Sequence, residues 1–211
     1  MISLLFQEPL LFVVLILAIL VALTVHEFSH ALMSNWLGDK TAARLGRLTL
    51  NPIAHLDPLG FMAMLFAGFG WAKPGPFNTD NLKNQKWGPV VIAFAGPSAN
   101  LLCALIFGLI LRFIFPILGE GSLLIQALFL LVTFNLALLF FNLIPIPPLD
   151  GSKLLLAMLS SPQYAKAKNI LETRGPLILI GAIIADNFLN LNVFSFISSI
   201  VGYVSGRIVG F

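Results

Sequence analysis

A histidine–glutamate motif at the end of an apolar run is the feature that most constrains this chain. Residues 26–30 read His-Glu-Phe-Ser-His, and every residue from 10 to 25 except Thr24 is apolar. About 20 predominantly apolar residues cross the hydrocarbon core of a bilayer, so the run predicts a membrane-spanning helix. It reaches sufficient length if it begins at Pro9, which suits a first helical turn, and continues to about Leu37.

The spacing within this motif is typical of a metal site. Residues four apart share one face of a helix, so His26 and His30 point the same way and can bind one zinc ion. Glu27 lies beside them, where a carboxylate can act as the general base of a metalloprotease. The alternative is that the two histidines are satisfied polar groups packed against neighbouring helices.

The position of the motif predicts a site inside the membrane. His26 is 17 residues beyond Pro9, and therefore roughly 26 Å along the helix. The hydrocarbon core is about 30 Å thick, which places the motif within it and near its far surface. Ionisable groups at that depth are costly and are functional candidates by default.

Composition indicates a polytopic membrane protein. Of the 211 residues, 58% are hydrophobic and 10% are charged, whereas soluble domains carry about 25% charged residues. No basic residue precedes the first apolar segment, so we do not interpret it as a cleaved signal peptide. We expect an all-α membrane domain over residues 1–211, with a three-helix catalytic core at about 9–160 and further membrane segments at about 175–211.

The basic residues predict the topology. Most of them fall in two loops, at 39–87 and 153–174, and positive loops face the cytoplasm. The N-terminus is therefore expected on the opposite side of the cell membrane. No basic face of a soluble domain is evident, which argues against nucleic-acid binding. Cys103 is the only cysteine, so the chain has no disulfide framework and no thiolate metal site.

Three further elements follow from the apolar segments. Gly88 to Leu111 is uncharged and predicts the second spanning helix, and a third falls within 121–149. Residues 176–211 are interrupted at Asp186-Asn187 and are compatible with one kinked helix or two segments. Asn100, in the second span, would bond across helices either near the site or simply between two helices.

The first basic loop is expected to contain short edge β-strands. Residues 45–50 partly alternate and predict a strand, and the proline-rich stretch at 70–77 predicts an extended segment. Residues 61–69 are apolar but too short to span, which indicates a re-entrant or interfacial helix. His55 and Asp57 are either a further ligand or supporting pair, or ordinary turn residues.

Asp150 is our candidate for the third metal ligand. A catalytic zinc ion takes three protein ligands, and the first helix supplies two. Counting spans returns Asp150 to the side of His26, unlike Glu8 and Glu120. Its alternative role is to cap the short helix that follows. The prolines at 145–148 are expected to hold the preceding chain as an extended strand.

Five motifs together resemble the site-2 protease family of intramembrane zinc metalloproteases. They occur in the family order over roughly residues 20–155. They are His26-Glu27-x-x-His30, Asn51-Pro52-x-x-His55-x-Asp57-Pro58-x-Gly60, Gly68-Phe69-Gly70-Trp71-Ala72-Lys73-Pro74, Ala95-Gly96-Pro97-x-x-Asn100, and Asn142-x-x-Pro145-x-x-Pro148-Leu149-Asp150-Gly151.

The resemblance implies a specific site and activity. By likeness, His26, His30 and Asp150 would hold one zinc ion and Glu27 would activate water. Asn142 matches an asparagine thought to help hold the substrate or its oxyanion, and a supporting role for His55 gains weight. The family cuts spanning segments of other membrane proteins, and this chain resembles its compact branch, without a PDZ-like or nucleotide-sensing domain.

We therefore expect an intramembrane zinc endopeptidase whose partners are the lipid bilayer and single-span protein substrates. The sequence does not determine the substrate or the oligomeric state. One alternative is a metal transporter or sensor using the same ligands, although a metal pathway would require acidic or histidine residues on several helices. Another is a protein that binds helices without cutting them, against which the intact Glu27 argues.

Overall fold

The computed structural model describes residues 2–67, 70–73, 75–189 and 191–210, and its regular structure there is helical. The helices of the described chain are α1 (Ile2–Gln7), α2 (Pro9–Trp36), α3 (Thr41–Arg44), α4 (Pro58–Ala67), α5 (Gly88–Leu118), α6 (Leu123–Asn142), α7 (Gly151–Met158), α8 (Ala165–Leu189) and α9 (Ser195–Val209). Short 3-10 turns occur at Pro52–Ala54, Thr79–Asn81 and Pro162–Tyr164.

Helices α2, α5 and α6 are long and apolar enough to cross a membrane, which confirms the three predicted spans. Pro9 occupies the first turn of α2, where its missing N–H has no intrahelical partner to lose. Beyond α2 the chain turns at Gly38, whose φ of 111° favours glycine. Helix α5 is longer than predicted, because it continues through Pro116 to Leu118.

The three long helices pack on one another, and α9 packs against α5 and α6. Fully buried Ala104, Val132 and Leu136 form the centre of this contact, together with Val201 of α9. The small side chain of Ala104 allows the neighbouring helices to approach closely. The C-terminal region thus contains two helices, α8 and α9, instead of one kinked helix.

The predicted strand at 45–50 is wrong, because the described residues there form turns and bends. Side-chain bonds to the backbone tie this segment to the residues that follow it. The buried Arg47 guanidinium donates to the Ala54 carbonyl, and Nε2 of His55 lies 2.8 Å from the Thr49 carbonyl oxygen. The Arg47 amide also donates to the Ala42 carbonyl at 2.9 Å, which curls the chain back on α3.

The stretch at 70–77 forms no strand among its described residues either, although it makes one antiparallel bridge, Leu56 with Ala72. Residues 68, 69 and 74 of this predicted region lie outside the described residues. The prolines at 145–148 also do not give the expected extended strand. Bends and turns occur there, including a hydrogen bond from the Leu149 amide to the Ile146 carbonyl at 3.0 Å.

A buried carboxylate, Asp39, joins the end of α2 to residues 78–81 of the first basic loop. Its oxygens accept from the Asn78 amide at 2.7 Å, from Asn81 Nδ2 at 2.9 Å and from both the amide and hydroxyl of Thr41. Burial alone would raise the pKa of Asp39, but the hydrogen bonds from Thr41, Asn81 and Asn78 outweigh it and hold the pKa well below its usual value. The ionised side chain therefore fixes residues 78–81 against α2.

Candidate metal centre

Three side chains from distant parts of the sequence meet at the end of α2. The Nε2 atoms of His26 and His30 are 2.9 Å apart. Oδ2 of Asp150 lies 3.2 Å from the first and 3.3 Å from the second. The histidines are brought together by their four-residue helical spacing, and Asp150 reaches them from the loop before α7.

The other ring nitrogen of each histidine is held by an oxygen atom. Nδ1 of His26 is 2.6 Å from Oδ1 of Asn100, and Nδ1 of His30 is 2.7 Å from the carbonyl oxygen of Ile92. A carbonyl oxygen only accepts, so each Nδ1 carries the hydrogen and donates it. Both Nε2 atoms are then left with lone pairs, which is the tautomer that a metal ligand needs.

The orientation of Asn100 is fixed by a buried network. Its Nδ2 donates to the Ala22 carbonyl at 3.0 Å and to Oδ1 of Asn135 at 2.9 Å, which turns Oδ1 towards His26. Asn135 in turn donates to the Leu131 carbonyl at 2.8 Å. Sequence reasoning left the role of Asn100 open and missed Asn135. The signal for Asn135 in the sequence is an asparagine within an apolar helix, where a polar side chain needs a partner. In the structure this residue is fully buried.

Asp150 is positioned by the chain on both sides of it. It precedes α7, but its side chain makes no capping hydrogen bond, so the capping alternative is not what the structure shows. A Cβ on Gly151 would lie 2.3 Å from the Leu143 carbonyl oxygen, which shows how tightly the loop is folded. Leu179 and Ile183 of α8 pack against Leu149 and support the loop from outside.

Gly96 of α5 provides the space in which the two imidazole rings sit. A Cβ at this position would lie 2.5 Å from His30 Nε2 and 2.7 Å from His26 Cε1. Both distances are too short for any side chain to be accepted without displacing the rings. The sequence showed a cluster of small residues here but not which one faces the histidines.

Glu27, which lies between the two histidines in the sequence of α2, is half-buried. Its Oε2 lies 3.6 Å from the point that a Cβ on Gly75 would occupy, so the backbone at residue 75 passes over the carboxylate. That segment is anchored at one end by the Lys73 amide, which donates to the His55 carbonyl at 2.9 Å. At its other end it is anchored by Asp39, through the bond from the Asn78 amide.

The remaining candidates lie outside the group of three. His55 is buried, but its ring contacts the Thr49 carbonyl. Asp57 accepts from the Gly60 amide at 2.8 Å, as a turn residue does. The side-chain amide of Asn142 donates to the Leu138 carbonyl of its own helix at 3.0 Å. Of the described His, Cys, Asp and Glu residues, His26, His30 and Asp150 form the grouping suited to a metal.

The donor set fits a zinc ion. Ligands of a tetrahedral zinc at about 2.0–2.2 Å lie roughly 3.3–3.6 Å apart. The two separations to Asp150 are close to this range, and the 2.9 Å between the Nε2 atoms is somewhat shorter. Oδ2 of Asp150 is buried and, within the described chain, accepts no hydrogen bond. Two lone-pair nitrogens and a carboxylate oxygen facing one another would repel, and a cation among them removes that repulsion.

Comparison with known proteins identifies the family. The model of "Peptidase family M50" matches residues 119–182, which include the third spanning helix and Asp150. "Putative zinc metalloprotease YwhC" of Bacillus subtilis is 42% identical over 147 residues, covering 67% of this chain and 67% of the relative. No solved structure matches the chain significantly.

Two mycobacterial proteins are also similar. "Putative zinc metalloprotease Rip2" of Mycolicibacterium smegmatis is 32% identical over 147 residues, and its namesake from Mycobacterium tuberculosis is 33% identical over the same length. Each alignment covers 66% of this chain, which spans only 55% of the length of either relative. The resemblance to the site-2 protease family is thereby confirmed, and on the YwhC identity and the matching family model the chain belongs to peptidase family M50.

Proposed function

We propose that this chain is an intramembrane zinc endopeptidase that hydrolyses peptide bonds in the spanning segments of other membrane proteins. The observation that carries the proposal is the meeting of two histidine Nε2 atoms with a buried Asp150 oxygen that accepts no hydrogen bond within the described chain. Glu27 directly follows His26 in α2. A metal sensor could use the same three ligands, so the ligands alone do not indicate hydrolysis. The adjacent Glu27 carboxylate is the additional group that hydrolysis requires.

His26, His30 and Asp150 would hold one zinc ion, with Asn100 and the Ile92 carbonyl fixing the two rings. A bound zinc ion supplies Lewis acidity, which polarises a peptide carbonyl and lowers the pKa of water to about 7. The rigid hydrogen bonds on both Nδ1 atoms keep the Nε2 lone pairs aimed at one point.

Glu27 acts as the general base. Its carboxylate takes a proton from the attacking water and returns it to the departing amine nitrogen, so the protein ends the cycle unchanged. The backbone at Gly75 passes close to this carboxylate, since a Cβ there would be in ordinary van der Waals contact with Oε2 at 3.6 Å. Gly75 therefore borders the space around the general base.

Substrate presentation would use the segment around residues 70–78. A helical spanning segment hides its carbonyls in its own hydrogen bonds and must unwind locally before it can be cut. Ala72 already makes an antiparallel bridge with Leu56, and Asn78 is extended, with φ −112° and ψ 115°. An unwound substrate would pair with this segment by β-augmentation next to Glu27.

The site is proposed to open towards the cytoplasm. The loops at 39–87 and 153–174 carry most of the basic residues, and such loops stay on the cytoplasmic side. The Gly75 segment and the loop before α7 both lie at this end of α2. The N-terminus would then lie on the other side of the cell membrane.

A single substitution tests the proposal. Purified Glu27→Gln protein should retain about one zinc ion per chain by mass spectrometry, since no ligand is changed. Its cleavage of a co-expressed single-span protein should fall by about 10²–10⁴-fold, the usual contribution of a general base. Glu172→Gln, at an exposed position on α8, is the matched control and should cleave normally. Undiminished cleavage by Glu27→Gln would refute the assigned base.

A further inference from the structure

Two cavities lie end to end along α2 and α6. The one nearer the metal centre has a volume of about 580 Å³ and is bounded by α2, α4, α6 and α9. The other has a volume of about 690 Å³ and is bounded by α2, α5 and α6. Phe129 borders both cavities, so they adjoin at this residue, and we refer to the two together as the α2–α6 furrow.

The inner end of the α2–α6 furrow lies on the face of α2 that carries Glu27. Leu20 and Leu23 line its inner part and precede Glu27 by seven and four residues, so all three share a face of α2. At the outer end Glu8 lines the furrow, 19 residues before Glu27. At 1.5 Å per residue this is about 28 Å, close to the thickness of the hydrocarbon core.

The two ends of the furrow differ chemically. Its walls are apolar, but Glu8 and Glu120 both border the outer cavity and are exposed. In the described chain neither carboxylate has a lysine or arginine within ion-pair distance, since the only carboxylate–base contacts found there are those of Asp150 with the two histidines. The outer rim therefore presents two negative charges that the protein itself does not neutralise.

We propose that the α2–α6 furrow docks the spanning segment of the substrate, and that Glu8 and Glu120 select segments with lysine or arginine at the end remote from Glu27. The inference rests on the proposed function and names the substrate class. An apolar segment of membrane-spanning length fits the walls, and a basic flank complements the rim. Phospholipid headgroups carry a phosphate and are neutral overall or anionic, so they complement that rim less well than a basic flank.

The selected segments would be unusual among membrane proteins. Basic residues normally flank spanning helices on the cytoplasmic side. With the site facing the cytoplasm, the acidic rim lies on the other side and favours the minority of segments that are basic there. Most single-span proteins would thus remain uncleaved, whatever their sequence at the potential cleavage site.

Photocross-linking measures docking separately from cleavage. The zinc-loaded Glu27→Gln protein would carry a benzophenone amino acid in place of Phe129, and in a matched control in place of Phe113, an exposed position on α5. The probes are synthetic 20-residue leucine–alanine segments in detergent micelles. One probe ends in two lysines, and the other ends in two serines. Zinc content identifies correctly folded variants, and Phe134, another lining residue, provides a second cross-linking position.

We expect saturable cross-linking from position 129 and only weak, non-saturating labelling from position 113. The lysine-ended probe should reach half-maximal yield at an about three- to tenfold lower concentration, as two exposed ion pairs allow. That advantage should disappear with Glu8→Gln/Glu120→Gln and shrink in high salt. Equal labelling from both positions, or an advantage that survives the double substitution, would overturn the proposal. Zinc binding and cleavage by the wild type are measured independently of this cross-linking, so the proposed function stands or fails separately.

Discussion

Asp39 and Asp150 are both buried acidic residues, yet their surroundings are opposite. Asp39 accepts hydrogen bonds from Thr41, Asn78 and Asn81, and each of its oxygens has at least one donor. Asp150 has a buried oxygen that accepts no hydrogen bond in the described chain and faces two imidazole nitrogens. The first carboxylate has its hydrogen-bond donors within the protein, whereas the second is the one for which we propose a bound cation.

The comparison separates structural from functional carboxylates by counting donors. A buried charge persists only if it is paired, so a carboxylate with its full set of donors has no capacity left for a ligand. An unsatisfied one indicates a missing partner. Substitutions at and around the two carboxylates test this distinction.

The largest effect is expected from removing the unsatisfied carboxylate. Asp150→Ala leaves two ligands, and the zinc affinity should fall by more than the roughly 100-fold that loss of a hydrogen-bonding partner of a ligand can cost. Cleavage should be abolished. Competition with a chromogenic chelator measures the affinity. Asp39→Asn should retain its zinc, and equal zinc loss in both variants would remove the distinction.

Filling the space beside the rings should have the next largest effect. Gly96→Ala places a Cβ 2.5 Å from the His30 Nε2 position. Displacing the rings at an overpacking cost of about 1–3 kcal/mol should weaken zinc binding by up to about 150-fold. Gly181→Ala on α8 is the control, because a Cβ there meets no atom within 4 Å. Chelator competition on both variants gives the comparison, and unchanged affinity in Gly96→Ala would contradict the geometry.

Disconnecting His26 from its buried acceptor should have a smaller effect. Asn100→Leu keeps the branched shape of the side chain but removes the oxygen that orients Nδ1, and zinc affinity should fall about 10- to 100-fold. Asn78→Ala, which removes a side chain bonded only within the loop turn, is the control. If Asn100→Leu binds zinc as tightly as the wild type, the network does not fix the ring.

The smallest effect is a pH dependence confined to the structural carboxylate. The pKa of Asp39 is lowered in the folded state, so its stabilisation is present above the unfolded value of about 3.9 and is lost as the pH falls below it. Asp39→Asn should lower the free energy of unfolding at pH 7 by about 1–3 kcal/mol. Thermal unfolding followed by tryptophan fluorescence should show the two proteins converging towards pH 2. A difference that stays constant down to pH 2 would contradict the lowered pKa.

The spanning helices were predictable from the sequence because one principle determines them. In lipid the backbone must satisfy its own hydrogen bonds, so a long apolar run is a helix almost regardless of context. The ends of α2 followed from Pro9 and Gly38. The three-ligand grouping was also predictable, since helical spacing pairs the two histidines and the count of spans returns Asp150 to their side.

The first loop was not predictable, because long-range side chains decide its path. Alternation at 45–50 suggested a strand, but His55 occupies the Thr49 carbonyl and the Arg47 side chain bonds the Ala54 carbonyl further along the loop. Asp39 depends on residues about 40 positions later, and Gly96 on rings from another helix. Such contacts leave no periodic pattern in the sequence, and local propensity carries no information about them.

Every spanning helix contributes to the centre: α2 supplies two imidazoles, α5 holds both rings through Ile92 and Asn100, and α6 leads into the loop of Asp150. If the three residues hold the metal as proposed, a chain inserting into the bilayer completes its ligand set only after the third span has docked. In the proposed enzyme, metal uptake then follows the assembly of all three spans.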